Sequence, residues 1–180
     1  NGEIERINSN YVNLAEYRTN GVDVDLMYSL PAATLFAAMP GQFHARVLAT
    51  WVDSLTTYDG KNSFEYVTSQ GLTGGSGVPR WRGNATFGWR GDRYSAQARA
   101  RYLSAGVYNN QLQLTNGDIG SYVYWDVGGR MRLPMSADRE FEIYADISNL
   151  FDRKSPLGAV GSPYYDVVGR YYTLGARMRF

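Results

Sequence analysis

Residues Tyr172 to Phe180 read YTLGARMRF and constrain the fold more than any other stretch. Tyr172, Leu174, Ala176, Met178 and Phe180 occupy one set of alternate positions, and Thr173, Gly175, Arg177 and Arg179 the other. Side chains alternate across a β-strand, so this period of two predicts a strand with one apolar and one polar face. The same rhythm recurs upstream. Strands are expected at about 13–30, 42–53, 80–90, 93–103, 121–133, 140–151 and 164–180.

The faces are consistent from strand to strand. Val22, Val24, Leu26, Tyr28 and Leu30 oppose Asp23 and Asp25, and Phe43, Ala45, Val47, Ala49 and Trp51 oppose His44 and Arg46. Trp81, Ala85, Phe87 and Trp89 oppose Arg80, Arg82 and Arg90, while Tyr94, Ala96, Ala98, Ala100 and Tyr102 oppose Arg99 and Arg101. Val123, Trp125, Val127, Met131 and Leu133 oppose Asp126, Arg130 and Arg132, and Phe141, Ile143, Ala145 and Ile147 oppose Glu140, Glu142 and Asp146.

Composition agrees with an all-β chain of one domain. Aromatics make up 14% of 180 residues, with 15 tyrosines and 20 glycines. There is no cysteine, which excludes disulfide and thiolate chemistry. A net charge of +1 provides no bulk field for nucleic acid. The longest apolar run, Ala32–Met39, falls far short of the roughly 20 residues of a membrane helix. The chain opens on Asn1 with no signal peptide, and is expected to be a piece of a longer protein.

Three features point to a membrane rather than a soluble sandwich. The expected strands are longer than the roughly 5–6 residues usual in soluble proteins, and reach the roughly 9–11 that a tilted membrane strand needs. The connections alternate in length. Pro31–Gly41, Gly91-Asp92 and Pro134–Arg139 lie at one end, and the longer Ser54–Pro79, Ser104–Gly120 and Asp152–Pro163 at the other, the pattern of short periplasmic turns and long outer loops. Aromatics also punctuate the apolar faces: Phe43/Trp51, Trp81/Trp89, Tyr94/Tyr102 and Tyr172/Phe180 are each eight residues apart. Eight residues span roughly 26 Å along a strand, or roughly 20 Å of height after a tilt of about 40°, close to the apolar band of about 25 Å. With Trp125, these side chains are expected at the lipid interfaces, where an apolar body with a polar edge is favoured.

The choice of face follows from cost. Each arginine turned to lipid at mid-membrane costs roughly 2–4 kcal/mol. The lumen is therefore expected to hold Asp23, Asp25, Arg46, Arg82, Arg99, Arg101, Asp126, Arg130, Arg132, Glu142, Asp146 and Arg177.

Several stretches resemble known families. Thr173, Gly175, Met178 and Phe180 match, in order, the polar-x-Gly-x-x-apolar-x-aromatic assembly signal of Gram-negative outer-membrane barrels. Tyr11–Leu30, Phe141–Pro156 and the terminal strand together resemble the C-terminal part of TonB-dependent receptors. Asn149-Leu150-Phe151-Asp152 is that family's Asn-Leu-Phe-Asp run. Asn20-Gly21-Val22-Asp23 stands where the family often has Arg-Gly-hydrophobic-acidic, with Asn departing at the first position. The resemblance implies an antiparallel, up-and-down, 22-stranded transmembrane barrel in the bacterial outer membrane, of which this chain supplies about seven long strands, the last ones. It places the plug domain, the TonB-recruiting segment and the earlier strands outside this sequence. It implies no enzyme activity and no cofactor. The partners it implies are lipid, the TonB energy-coupling complex through the plug, the barrel-assembly machinery through the last strand, and an unidentified siderophore-, cobalamin- or glycan-like ligand. A passive porin, and more remotely a soluble β-sandwich, remain as alternatives.

Other candidate sites have plainer explanations. His44 is the sole histidine and has no second nitrogen or sulfur ligand, so a polar lumen filler explains it better than a metal. Nor does any motif place a nucleophile and an orienting group around it as a hydrolase requires. GLTGGSG (71–77) lacks the ending of a phosphate loop and is expected to be a mobile loop. Arg90-Gly91-Asp92 suits a hairpin better than an adhesion motif, and Asn84-Ala85-Thr86 is a glycosylation triplet in mid-strand. Arg80, Arg82, Arg99 and Arg101 form either an anion-attracting strip or a set of ion-pair partners. Tyr58, Tyr66, Tyr108 and Tyr122 are loop aromatics to which no role is assigned.

Overall fold

The computed structural model describes residues 16–71, 77–136, 139–156 and 162–179. Its long strands are β1 (Glu16–Pro31), β2 (Gln42–Tyr58), β4 (Trp81–Arg90), β5 (Tyr94–Leu103), β8 (Tyr122–Ser136), β9 (Arg139–Ser148) and β10 (Tyr171–Arg179). Three short ones, β3 (Ser63–Glu65), β6 (Gly106–Val107) and β7 (Asp118–Ile119), lie in the long connections. The long strands form one sheet in chain order, β1-β2-β4-β5-β8-β9-β10, each pair antiparallel, with β3 attached to β2. It is an up-and-down sheet of seven long strands. It does not close: β1 and β10 stand at its two ends.

Register keeps the two faces separate. One row runs Val22, Trp51, Trp81; another runs Val24, Ala49, Gly83, Tyr102, Val123; a third runs Tyr28, Ala45, Phe87, Ala98, Val127, Ile147, Tyr172. The intervening rows are mostly polar, such as Met27, Arg46, Thr86, Arg99, Asp126. A slip of one residue between any two strands would mix the faces. The apolar face is bare: Leu174 is 79% exposed, Tyr28 66% and Phe87 55%. A contiguous apolar surface of this kind is rare on soluble monomers.

Several boundaries differ from those expected. β2 runs past Asp53 to Tyr58, because a bulge opposite Asn20/Gly21 absorbs one residue and lets pairing continue. Gly21 is needed there, since a Cβ would come 2.4 Å from the Trp51 carbonyl oxygen. β9 stops at Ser148 rather than 151 because Asn149 turns into the left-handed region (φ 52°). The last strand begins at Tyr171 rather than Tyr164. Residues 166–169 form a turn in which the Asp166 carboxylate accepts the Val168 and Gly169 amides at 3.1 and 3.3 Å, and Gly169 takes φ 81°. The Ala32–Met39 stretch holds one short 3-10 turn, Ala32–Thr34.

Candidate functional site

The polar face is the part of the molecule that carries chemistry. Asp23, Asp25, Arg46, Arg82, Arg99, Arg101, Asp126, Arg130, Arg132, Glu142, Asp146 and Arg177 all fall on rows of this face. Arg46 holds Asp25 through two hydrogen bonds, 2.7 and 3.0 Å. The Thr50 hydroxyl donates to Asp23 at 2.6 Å, and Arg132 stands 3.9 Å from Glu142. Gly128 lies under the Asp146 carboxylate and Gly88 under the His44 ring; a Cβ at either would collide with the side chain above it.

Asp126 is the hub of this wall. Its side chain is nearly buried and receives Arg99 Nε at 3.0 Å, Arg101 Nε and a terminal nitrogen at 2.8 and 3.0 Å, and the Asn149 amide at 2.9 Å. A carboxylate filled by charged and backbone donors can be held out of water without an unpaired oxygen. Arg101 also reaches Asp166 at 3.4 Å and lies 5.0 Å from the Tyr124 ring centroid. Asp166 was not singled out from sequence, because the expected strand 164–180 placed it inside regular structure.

The Asn-Leu-Phe-Asp run is the knot that ends β9. Asn149 and Asp152 both have φ 52°, a conformation that Asn and Asp tolerate better than most residues. The Asn149 side chain exchanges hydrogen bonds with the Arg153 backbone at 2.9 and 3.0 Å, and the Leu150 amide donates to the Trp125 carbonyl at 2.7 Å. Asp152 accepts the Arg170 amide at 2.9 Å and Lys154 at 3.1 Å, pinning the start of β10. Those donors hold the Asp152 carboxyl below its ordinary range, the Arg170 amide foremost.

The long loops form a packed cap over the same end. One Glu65 oxygen accepts the amides of Leu55, Tyr66 and Val67 at 2.8–3.0 Å. Asn110 and Gln111 donate to the Glu65 carbonyl at 2.7 and 2.8 Å, and Gln70 and Val107 join the backbones of the two loops at 2.8 Å. Tyr165, 5% exposed, packs with Ile119, bonds Gln70 through its hydroxyl and meets Tyr122 edge-on at 5.1 Å. Burial pushes its phenol well above the usual range. Tyr108 and Tyr122 are thus structural members of the cap. GLTGGSG is packed at both ends, for Gly71 abuts Tyr108 and Gly77 abuts Ser69, while residues 72–76 lie outside the described ones.

The aromatics expected at the lipid interfaces sort by their place along the strands. Trp51 and Trp81 pair at 6.2 Å near the loop end, on the same side as Tyr102, Trp125 and Tyr172. Phe43, Trp89 and Tyr94 lie toward the short turns. Phe43 is only 7% exposed, because Phe36 from the turn and Phe87 cover it at 6.2 and 5.6 Å. Trp89 donates its indole N–H to the Pro40 carbonyl at 3.0 Å. In the terminal strand Thr173 and Gly175 are on the polar face and Met178 on the apolar one; Phe180 lies outside the described residues. Gly175 is covered by the Tyr144 ring, whose Cζ would lie 2.2 Å from an added Cβ.

Sheet, bare apolar face and charged opposite wall together define a segment of a transmembrane barrel. The family model described as TonB dependent receptor-like, beta-barrel matches residues 1–150, and the chain belongs to this family. Residues 151–180 lie beyond the matched span. No curated protein and no solved structure matches the chain significantly. Barrels of this family are outer-membrane transport proteins of Gram-negative bacteria rather than enzymes.

Proposed function

We propose that residues 1–180 form one part of the barrel wall of a receptor for TonB-dependent active uptake of a scarce siderophore-, cobalamin- or glycan-like substrate. The observation that carries this reading is the sheet-wide separation of faces: lipid solvates one side, and the other gives a wet, charged lumen. The open edges of β1 and β10 support a larger barrel, because unpaired backbone groups in hydrocarbon cost several kcal/mol each, roughly. Further strands of the same barrel would satisfy them, and a plug elsewhere in the protein would couple to TonB. The terminal strand, with Thr173, Gly175, Met178 and Phe180, would engage the barrel-assembly machinery.

The wall does the passive part of the work. It closes the backbone hydrogen bonds and lines the path with fixed, mostly paired charges. Uptake by cells expressing the full protein tests the proposal. Loss of uptake on deleting TonB or adding a proton uncoupler is the expected result; uptake that persists would make the protein a passive porin.

A further inference from the structure

Alternation on the polar wall fails at Leu48 and Leu103, and both face one cavity. Leu48 and Leu103 lie on rows otherwise given to charged and polar side chains, opposite Asn84 and Arg82 respectively. They line a cavity of about 430 Å³ together with Arg82, Asn84, Arg101 and Tyr164. That size falls within the range of roughly 300–1,000 Å³ for small-molecule sites. Tyr164 reaches it from the loop before β10 and is held by its hydroxyl, which donates to the Gly77 carbonyl at 2.9 Å.

The charges of the cavity are not matched one to one. Arg101 is committed to Asp126 and Asp166. Asp23, on the row of Arg82 but two strands away, accepts the Thr50 hydroxyl. Among the described residues no carboxylate pairs with Arg82. An exposed guanidinium with no such partner among the described residues, set beside two leucines and a tyrosine ring, offers a guest one charged contact and one apolar wall.

We infer that this cavity binds an organic anion with a flat apolar body, its carboxylate-like group on Arg82 and its body between Leu48, Leu103 and Tyr164. The guanidinium fork suits a two-oxygen anion, and the leucines favour a guest larger and less polar than a simple inorganic ion. The site rests on the reading of this face as the lumen wall.

The test uses the full-length protein in lipid nanodiscs, with 2-naphthoate and its uncharged analogue 2-naphthalenemethanol as probes in equilibrium dialysis. Naphthoate should bind more tightly than the alcohol. Arg82→Gln should weaken naphthoate about tenfold or more, the scale of one charge-assisted hydrogen bond, and leave the alcohol unchanged. Leu48→Asn, which leaves every ion in place, should weaken both probes and serves if Arg82→Gln does not fold. Arg130→Gln, toward the opposite end of the wall, should change neither. Equal binding of the two probes, or undiminished naphthoate binding in a folded Arg82→Gln protein, overturns the site. No naphthoate binding at all also overturns it, and would mean that an acidic group elsewhere in the protein already satisfies Arg82. Labelling of Arg130→Cys by a membrane-impermeant maleimide decides separately whether the face is wet, and uncoupler-sensitive uptake decides the transport reading.

Discussion

Replacing Asp126 by alanine removes four donors' common acceptor, and the structure says which of the four losses matters. Arg99 has half of its side chain exposed and can turn to water, so its loss costs little. Arg101 is 30% exposed but keeps Asp166 at 3.4 Å, which limits its penalty. The Asn149 amide has no such recourse, for its residue is 1% exposed and the Asp126 oxygen is its acceptor at 2.9 Å. An orphaned buried amide costs about 1–3 kcal/mol, and partial loss at Arg101 adds about 1 kcal/mol, so Asp126→Ala should destabilise by about 2–4 kcal/mol. Asp126→Asn keeps a carbonyl for the amide and should recover about half of that loss. The assay is urea unfolding of the full-length protein in lipid vesicles, with hydrogen exchange at the Asn149 amide as the local readout. Equal losses for the two variants, or an Asn149 amide as well protected in Asp126→Ala as in the parent, would refute the assignment of the cost to that amide.

Gly175→Ala should disturb β10, because its Cβ would collide with the Tyr144 ring; the expected loss is about 1–3 kcal/mol, and Tyr144→Ala in the same chain should restore most of it in urea unfolding. The Asp152 carboxyl is depressed in the folded protein, so its contribution is present above the ordinary carboxylate range and lost as pH falls through the folded value. Acid should therefore loosen the contact with the Arg170 amide, seen as faster exchange there than at Leu150 once both are corrected for pH; an unchanged ratio would contradict it. Trp81 and Trp125, 47% and 41% exposed on the apolar face, should be quenched by brominated lipid in the intact protein. Silence from both would mean that the apolar face does not meet lipid.

The division of the chain into two faces was legible in the linear pattern, because strand geometry sends neighbouring side chains to opposite sides whatever the rest of the molecule does. That local rule placed Arg99, Arg101 and Asp126 on one face before any partner was known. Family resemblance, not alternation, marked Asn149–Asp152; the reason for its residues, two left-handed backbone positions and the Asn149 amide held by Asp126, lies in the fold.

What pairing and packing alone decided has no local signature. Asp166 meets Arg101 across 65 positions and Tyr165 meets Gln70 across 95, distances over which alternation carries no information. The same holds for Tyr144 over Gly175, for Phe36 shielding Phe43, and for the cap that consumes Tyr108 and Tyr122. Period-two reasoning extends a strand until the pattern fades, so it carried the last strand back to Tyr164. Hydrogen bonds to Asp152 and Asp166 instead hold residues 166–170 in a turn, and only the assembled sheet supplies those partners in place.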